Sequence, residues 1–184
     1  MTGAGNRNID IRPAGPADVN AIQRIYAHHV LRGSASFEEV PPRAAEMERR
    51  RADVVARGLP YVVALKDGAL VGYAYLTPYR PRSAYRFTVE DSIYLAPGQE
   101  RQGIGGKLLG TLIESATALG MRQMLAVIGD SANRGSIALH ERHGFVHAGI
   151  FRSVGFKHGG WLDSVLMQRA LGPGDTTLPF NVNF

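Results

Sequence analysis

Two adjacent carboxylates stand just before an apolar segment that favours an extended strand. Glu90 and Asp91 precede Ile93, Tyr94 and Leu95. Because successive side chains of a strand point to opposite faces of a sheet, one carboxylate of the pair faces each side. A carboxylate in a cleft is suited to proton transfer as a general base. The alternative interpretation is a solvated pair of charges at the end of a strand.

The strand runs into a glycine-rich turn and then into a helix. Apolar residues recur at helical spacing from Ile104 to Leu119, and Gly120 follows them. The turn itself contains Arg101, Gln102, Gly103, Ile104, Gly105, Gly106 and Lys107. A helix that begins at glycines leaves unpaired N–H groups at the positive end of its dipole, which suits a phosphate or pyrophosphate. A glycine cluster that only permits a tight turn is the alternative.

The letters of this turn exclude the two familiar phosphate-binding loops. A Walker loop requires glycine at position 101 and Ser or Thr at position 108, where this chain has Arg101 and Leu108. A dinucleotide fingerprint that starts at Gly103 requires its last glycine at position 108, which is also occupied by Leu108. Any phosphate bound here is therefore held by a different loop.

A second polar group lies further along the chain. Asn133 stands at the start of a short helix on which Ser136 and His140 share one face. A histidine there is suited to act as an acid or as a hydrogen-bond partner. His140, Glu141 and His143 resemble a zinc-protease motif, but the spacing is one residue short and a third ligand is missing, so we expect no metal.

Three arginines precede the strand that carries the carboxylates. If the segment is extended, Arg80, Arg82 and Arg86 lie on the same side of it. A guanidinium fork suits a substrate carboxylate, so we expect a shared anion site centred on Arg82. Phe37 and Tyr85 either form its walls or belong to the core. The alternative is a loop whose arginines only increase solubility.

The remaining elements support this central strand, turn and helix. Alternation and turn residues predict strands over residues 9–12, 61–65, 70–76, 86–95 and 121–128, with a final hairpin over 156–166. Asp67 and Gly68 are typical of a hairpin turn. Helical spacing predicts helices after Pro16 and over residues 44–57, 104–119 and 136–143.

The composition is that of one globular domain. The 184 residues are 45% apolar, carry a net charge of +5 and include no cysteine, so disulfides and thiolate chemistry are excluded. The basic residues are scattered, and we expect neither nucleic-acid nor membrane partners. We expect a cytoplasmic protein with a disordered segment at 1–8, a domain over 9–171 and a tail over 172–184. In that tail Leu178, Pro179, Phe180 and Phe184 are suited to dock on a neighbour.

The segment from Glu100 to Gly105 resembles the acetyl-CoA pyrophosphate loop of the GCN5-related N-acetyltransferases, or GNAT enzymes. Their pattern is Gln/Arg-x-x-Gly-x-Gly/Ala, and Glu100 departs from it at the first position. The segment from Asn133 to Phe145 resembles another motif of the family, in which the asparagine binds coenzyme A and a tyrosine protonates the leaving sulfur. His140 occupies the place of that tyrosine.

Four further segments resemble the phosphinothricin and methionine sulfoximine N-acetyltransferases, a branch of this family. They are residues 34–38, 80–91, 139–141 and 154–163. The resemblance implies a mixed α/β fold with a mostly antiparallel central sheet and helices on both faces. It implies acetyl-CoA as cosubstrate, Glu90 as general base, His140 as its catalytic partner, and a homodimer. The reaction would be acetylation of the α-amine of phosphinothricin, methionine sulfoximine or methionine sulfone, for detoxification or toxin resistance.

The resemblance assigns residues to two sites. We expect the cofactor to contact Ile93, Tyr94, Leu95, Arg101, Gln102, Gly103, Ile104, Gly105, Gly106, Lys107, Asn133 and Ser136. We expect the substrate to contact Phe37, Arg80, Arg82, Tyr85, Arg86, Glu90 and Asp91. Two other functions stay open at this point, namely an acetyltransferase for another small amine or a protein N-terminus, and an acyl-CoA-binding module without turnover.

Overall fold

A computed structural model describes residues 9–179 of the chain. The predicted disordered segment at 1–8 and the apolar residues Phe180 and Phe184 of the tail lie outside the described residues. The strands and helices, in chain order, are β1 (Ile9–Pro13), α1 (Val19–Arg32), α2 (Ala44–Ala56), β2 (Tyr61–Lys66), β3 (Ala69–Pro78), β4 (Thr88–Leu95), α3 (Ile104–Ala118), β5 (Gln123–Gly129), α4 (Arg134–Arg142), β6 (Val146–Lys157) and β7 (Gly160–Ala170).

All seven strands form one sheet in the order β1-β2-β3-β4-β5-β7-β6. Every neighbouring pair is antiparallel except β4 and β5, which run parallel. The predicted α/β fold with a mostly antiparallel sheet is therefore confirmed. The hairpin between β2 and β3 turns at Asp67 and Gly68 with φ of 51° and 80°, as their sequence predicts.

The helices cover both faces of the sheet. Tyr26 of α1 meets Tyr94 of β4 edge-on, with ring centroids 5.1 Å apart, so α1 packs on the face of the even-numbered β4 side chains. Gly72 of β3 lies opposite Leu95 and against Leu108 of α3, so α3 packs on the odd-numbered face. Glu90 and Asp91 consequently point to opposite faces, as their adjacency predicts.

Aromatic and aliphatic side chains form the core on either side of the sheet. Tyr61, Tyr73 and Tyr75 stack nearly parallel beneath α1 and α2, with centroids 4.9 to 6.2 Å apart. On the opposite face Leu108, Leu109 and Leu112 of α3 are completely buried. This double-sided burial makes the central strands rigid, so side chains of β4 are held at fixed positions.

Two segments differ from the sequence-based expectation. Residues 83–85 form a single 3₁₀ turn, and β4 begins only at Thr88, so the stretch that carries the arginines is not extended. The tail is attached at least as far as residue 178, because the buried Arg122 donates hydrogen bonds to the carbonyls of Gly174 and Leu178 and to the Thr177 hydroxyl. Among the described residues, no helix has both the length and the apolar character needed to cross a membrane.

Candidate active site

The site is built around a gap between β4 and β5. Their parallel pairing extends from Thr88 opposite Gln123 to Asp91 opposite Ala126. Beyond it, residues 92–95 and 127–129 line a cavity of about 500 Å³. Backbone N–H and C=O groups that face such a gap are free for an extended ligand that carries amide groups. The geometry therefore fits a long, narrow molecule inserted between the strands.

The N-terminus of α3 forms the mouth of this cavity. Gly103 precedes the helix with a φ of 80°, a left-handed conformation that glycine adopts without strain. The first N–H groups of α3 have no carbonyl partner within the helix, and the helix dipole adds positive potential. Arg101 and Glu100 also line the mouth. The backbone there suits a pyrophosphate, and Arg101 offsets the negative charge of Glu100.

His140 and Asp91 form a buried pair on the inner wall of the same cavity. His140 Nε2 lies 3.1 Å from Asp91 Oδ2, and only 4% and 2% of the two side chains are exposed. His140 Nδ1 lies 2.8 Å from the Ser136 carbonyl oxygen, which accepts only, so Nδ1 carries a proton. Burial lowers the pKa of His140, but the hydrogen bond and charge of Asp91 outweigh burial and raise the pKa above its usual value.

Glu90 lies on the opposite face of β4 from this pair. It stands opposite Thr77 in the antiparallel register with β3, so the two side chains are direct neighbours on one face. Burial raises the pKa of the Glu90 carboxyl, and the charge of Asp91 adds to the increase. A carboxylate whose pKa moves towards neutrality is a better proton acceptor than a fully solvated one.

A second cavity of about 420 Å³ opens beside Glu90. Tyr75 and Thr77 of β3 line it, and these residues stand opposite Ser92 and Glu90 of β4. Four of its lining residues are charged, namely Arg50, Asp53, Arg57 and Arg80. Among the described residues none of β4 lines this cavity, so Glu90 is related to it through its neighbour Thr77.

The structure brings together nine of the twelve predicted cofactor residues around the first cavity. They are Ile93, Tyr94, Leu95, Arg101, Gly103, Gly105, Gly106, Asn133 and Ser136. The other three point elsewhere: Ile104 is buried in the core, Gln102 accepts a hydrogen bond from Lys66, and Lys107 is directed at the Ile9 carbonyl. Asn133 also caps α4, since its Oδ1 accepts a hydrogen bond from the Ser136 N–H at 3.2 Å.

The predicted substrate arginines are not brought together. Only Arg80 lines the second cavity, with its guanidinium 5.1 Å from the centre of the Tyr79 ring. Arg86 lies over Phe87 and donates to the Ser83 carbonyl, and Arg82 is exposed. The expectation of a shared side is wrong because the 3₁₀ turn at residues 83–85 breaks the alternation.

Phe37 and Tyr85, the predicted aromatic walls, are both partly exposed but lie in different places. Phe37 packs against Gly155 of β6 and Gly129 of β5. Tyr85 meets Tyr79 edge-on, with ring centroids 5.5 Å apart. Phe37 therefore lies at the end of the gap between β4 and β5, whereas Tyr85 belongs to the turn that carries the arginines.

The loop around Phe37 closes one end of the first cavity. Lys157 of β6 donates to the carbonyls of Gly33 and Ser36 at 2.9 and 2.5 Å, which holds the loop against the sheet. The Ser34 carbonyl lies so close to Gly129 that a Cβ there would collide with it. This wall depends on contacts across more than 90 positions of sequence, which no local pattern predicts.

Several residues that line the first cavity were not predicted from the sequence. His29 of α1 donates from Nε2 to the Leu95 carbonyl at 2.8 Å, and burial lowers the pKa of His29, which favours the neutral ring. The only signal in the sequence was a histidine at an apolar position of the α1 pattern. The cavity also includes Ala35, Glu100, Ala126, Val127, Ile128, Gly129 and Arg142.

The sequence of this site matches a known family. Residues 22–145 match the family described as "Acetyltransferase (GNAT) family", and the match includes β4, α3 and α4. The chain belongs to the GNAT acetyltransferase family. The predicted membership of the GNAT family is therefore confirmed.

Relatives within the family agree with this assignment. A phosphinothricin N-acetyltransferase of Alcaligenes faecalis is 57% identical over 169 residues, which are 92% of this chain and 86% of the relative. An L-methionine sulfoximine/L-methionine sulfone acetyltransferase of Pseudomonas paraeruginosa is 41% identical over 167 residues, which are 89% of this chain and 95% of the relative.

A solved structure has a fold that matches the fold of this chain. It is a GNAT superfamily phosphinothricin acetyltransferase from Sinorhizobium meliloti in complex with acetyl-CoA, with a TM-score of 0.92 and 50% identity. The alignment covers 95% of this chain and 94% of that one. The present chain is therefore an acetyl-CoA-dependent N-acetyltransferase.

The contact between Gly129 and the Ser34 carbonyl leads to a prediction. Gly129→Ala forces the backbone of the Phe37 loop away from the gap, so we expect a loss of about 1–3 kcal/mol in the free energy of unfolding and a higher KM for acetyl-CoA. Gly110→Ala is the matched control, because a Cβ there meets open space on α3 and should stabilise the helix by roughly 0.5–1 kcal/mol. Chemical denaturation of both variants measures the difference, and equal changes would contradict the account.

Proposed function

We propose that this enzyme transfers the acetyl group of acetyl-CoA to the α-amine of a small amino-acid analogue of the phosphinothricin, methionine sulfoximine or methionine sulfone type. Its role would be detoxification or resistance. Relatives that carry these names are up to 57% identical to the chain over nearly its whole length. The observation that carries the proposal is the position of β4, with the acyl-CoA gap at one side and a cavity containing Arg80 beside Glu90 at the other.

A screen of acceptors tests this proposal. Purified enzyme and acetyl-CoA are mixed with amino acids, their sulfoximine, sulfone and phosphinate analogues, and other small amines and peptides. Thiol release and product mass are then measured. We expect the highest kcat/KM for the amino-acid analogues. Preference for a peptide N-terminus or for an amine without a carboxylate would replace the proposed substrate class, and acetyl-CoA binding without thiol release would indicate a binding module.

Glu90 is the proposed general base of the reaction. Its raised pKa and its position beside the second cavity suit the removal of a proton from the acceptor ammonium. The proposed cofactor contacts are the backbone of β4 from Ile93 to Leu95 and the α3 N-terminus from Gly103 to Gly106. His140 would supply a proton on the other face of β4.

Replacing the base should slow the chemical step. Glu90→Gln is expected to lower kcat by about 10²–10⁴-fold, because a positioned base contributes on that order, while acetyl-CoA affinity stays near normal. The wild-type rate should rise with pH through the raised pKa of Glu90, and this limb should vanish in the variant. Glu114→Gln, an exposed charge on α3, is the control. A pH–rate profile that Glu90→Gln leaves unchanged would remove Glu90 from this role.

Arg80 is the arginine best placed to hold the carboxylate of the acceptor. It lines the cavity beside Glu90, whereas Arg86 is engaged with Phe87 and Ser83. Within residues 9–179, Arg80 has no carboxylate within 4.0 Å. A guanidinium that has no carboxylate partner suits charge-assisted hydrogen bonds to an incoming anion.

A cycle of variants and substrates tests this role. Arg80→Ala should lower kcat/KM on the order of tenfold to a hundredfold for an α-amino acid analogue, and much less for the same amine without its carboxylate. Arg86→Ala is the matched control. Arg82→Ala measures how much the exposed Arg82 contributes to binding of the carboxylate. Initial rates give all values. Equal losses of Arg80→Ala on both substrates would mean that Arg80 supports structure and does not bind the carboxylate.

A homodimer is the proposed assembly. The hairpin of β6 and β7 exposes large apolar side chains that a second copy would cover, and 68% of Trp161 is exposed. The other exposed large apolar residues of the hairpin are Val146, Ile150, Phe151, Val154 and Phe156. Patches of this kind mark interaction sites on otherwise soluble domains. A monomeric mass in solution at micromolar concentration would contradict the proposal.

A further inference from the structure

The proton on His140 depends on Asp91. Nδ1 of His140 donates to the Ser136 carbonyl, so a hydrogen bond between Nε2 and Asp91 Oδ2 requires a second proton between them. The pair therefore carries that proton on His140, as an imidazolium beside the Asp91 carboxylate, in the wall of the acyl-CoA gap.

The surroundings of Asp91 favour keeping this proton. Its Oδ1 atom is buried and has no hydrogen-bond partner among residues 9–179, and Oδ2 contacts His140. A buried carboxylate without a compensating charge is strongly unfavourable, and His140 is the one basic side chain within 4.0 Å of it in that range. The imidazolium therefore stabilises the carboxylate, and loss of the proton leaves it uncompensated.

The pair also lies where the reaction takes place. Nε2 and Oδ2 are 3.1 Å apart, an ordinary hydrogen-bond length. Both residues line the cavity that fits the acyl-CoA thioester. Glu90 points to the other face of β4 and has no access to this pair.

We propose that Asp91 is a positioning residue that keeps His140 protonated, so that His140 delivers its Nε2 proton to the sulfur that leaves during acetyl transfer. This role rests on the proposed function. The amine nitrogen forms a bond to the thioester carbonyl carbon, and the carbon–sulfur bond breaks. The proton of the amine goes to Glu90, and the sulfur takes the proton of His140. Glu90 thus accepts a proton on one face of β4, and Asp91 supports the donation of a proton by His140 on the other face.

Few other charges act on His140. Asp91 faces it from β4, the Ser136 carbonyl faces it from its own helix, and the Phe145 ring meets it edge-on at 4.9 Å. On the α3 side, Gly106 packs against His143, and Arg169 of β7 donates to the His143 carbonyl. Arg142, Arg101 and Glu100 are the other charged residues that line the same cavity.

Asp91→Asn removes the negative charge of residue 91 and keeps the size and shape of its side chain. The asparagine amide can donate to an unprotonated Nε2, so the contact is kept while the negative charge is lost. We expect kcat to fall by about 10–10³-fold, within the range of general acid–base catalysis, with acetyl-CoA affinity changed by less than about threefold. A role of Asp91 in folding alone would change stability and affinity together.

The pH dependence adds a second readout. His140 acts as an acid in its protonated form, so kcat falls as pH rises through its raised pKa. Removing Asp91 lowers that pKa, and the alkaline limb of kcat should move to lower pH in Asp91→Asn. A variant with an alkaline limb at the wild-type position would overturn the role of Asp91.

NMR of ¹⁵N-histidine-labelled enzyme tests the same claim without turnover. His140 is assigned by its loss in His140→Gln, and His143, which does not contact Asp91, is the internal control. We expect both nitrogens of His140 to be protonated at pH 7 in the wild type, and only Nδ1 in Asp91→Asn. A wild-type His140 protonated at Nδ1 alone would overturn the proposal even if the variant fails to fold. Absence of acetyl transfer to amino-acid analogues would instead refute the proposed function and leave this readout intact.

Discussion

The separation of β4 from β5 is the constraint on which the rest of the structure depends. Two parallel strands in the middle of an antiparallel sheet pair over four residues each and then separate. The separation leaves the facing edges of the two strands without a partner strand, so a ligand that carries amide groups can complete the sheet there. The glycine-rich start of α3 and the capped start of α4 lie along this gap, and both aim their N-termini towards it.

The alternation of β4 explains how one strand serves two chemical tasks. Glu90 lies on the face of β4 that packs against α1, next to Thr77, which lines the cavity that contains Arg80, whereas Asp91 contacts His140 of α4. In both places burial and the charge of Asp91 together set the direction of the pKa shift. Burial raises the pKa of the Glu90 carboxyl towards that of a useful base, and Asp91 raises the pKa of His140 towards that of a useful acid. A rigid strand between them keeps these two sites apart.

Local patterns predicted most of the fold and part of the site. Helical spacing and glycine placement predicted α3 and its anion-binding start, and the turn at Asp67 and Gly68 predicted the β2–β3 hairpin. The pairing of His140 with Asp91 joins positions 49 residues apart, and the gap arises from a non-local parallel pairing, so neither follows from spacing. The predicted positions of the arginines were wrong because the prediction assumed an extended segment, whereas residues 83–85 form a 3₁₀ turn.

A crystal structure with coenzyme A and methionine sulfone bound together tests the central claim, the division of chemistry between the faces of β4. We expect the coenzyme A sulfur to lie in the gap within reach of His140, and the acceptor amine to lie on the Glu90 side with its carboxylate near Arg80. A complex in which the sulfur and the amine both lie on the Asp91 side, with Glu90 far from the acceptor, would contradict the account.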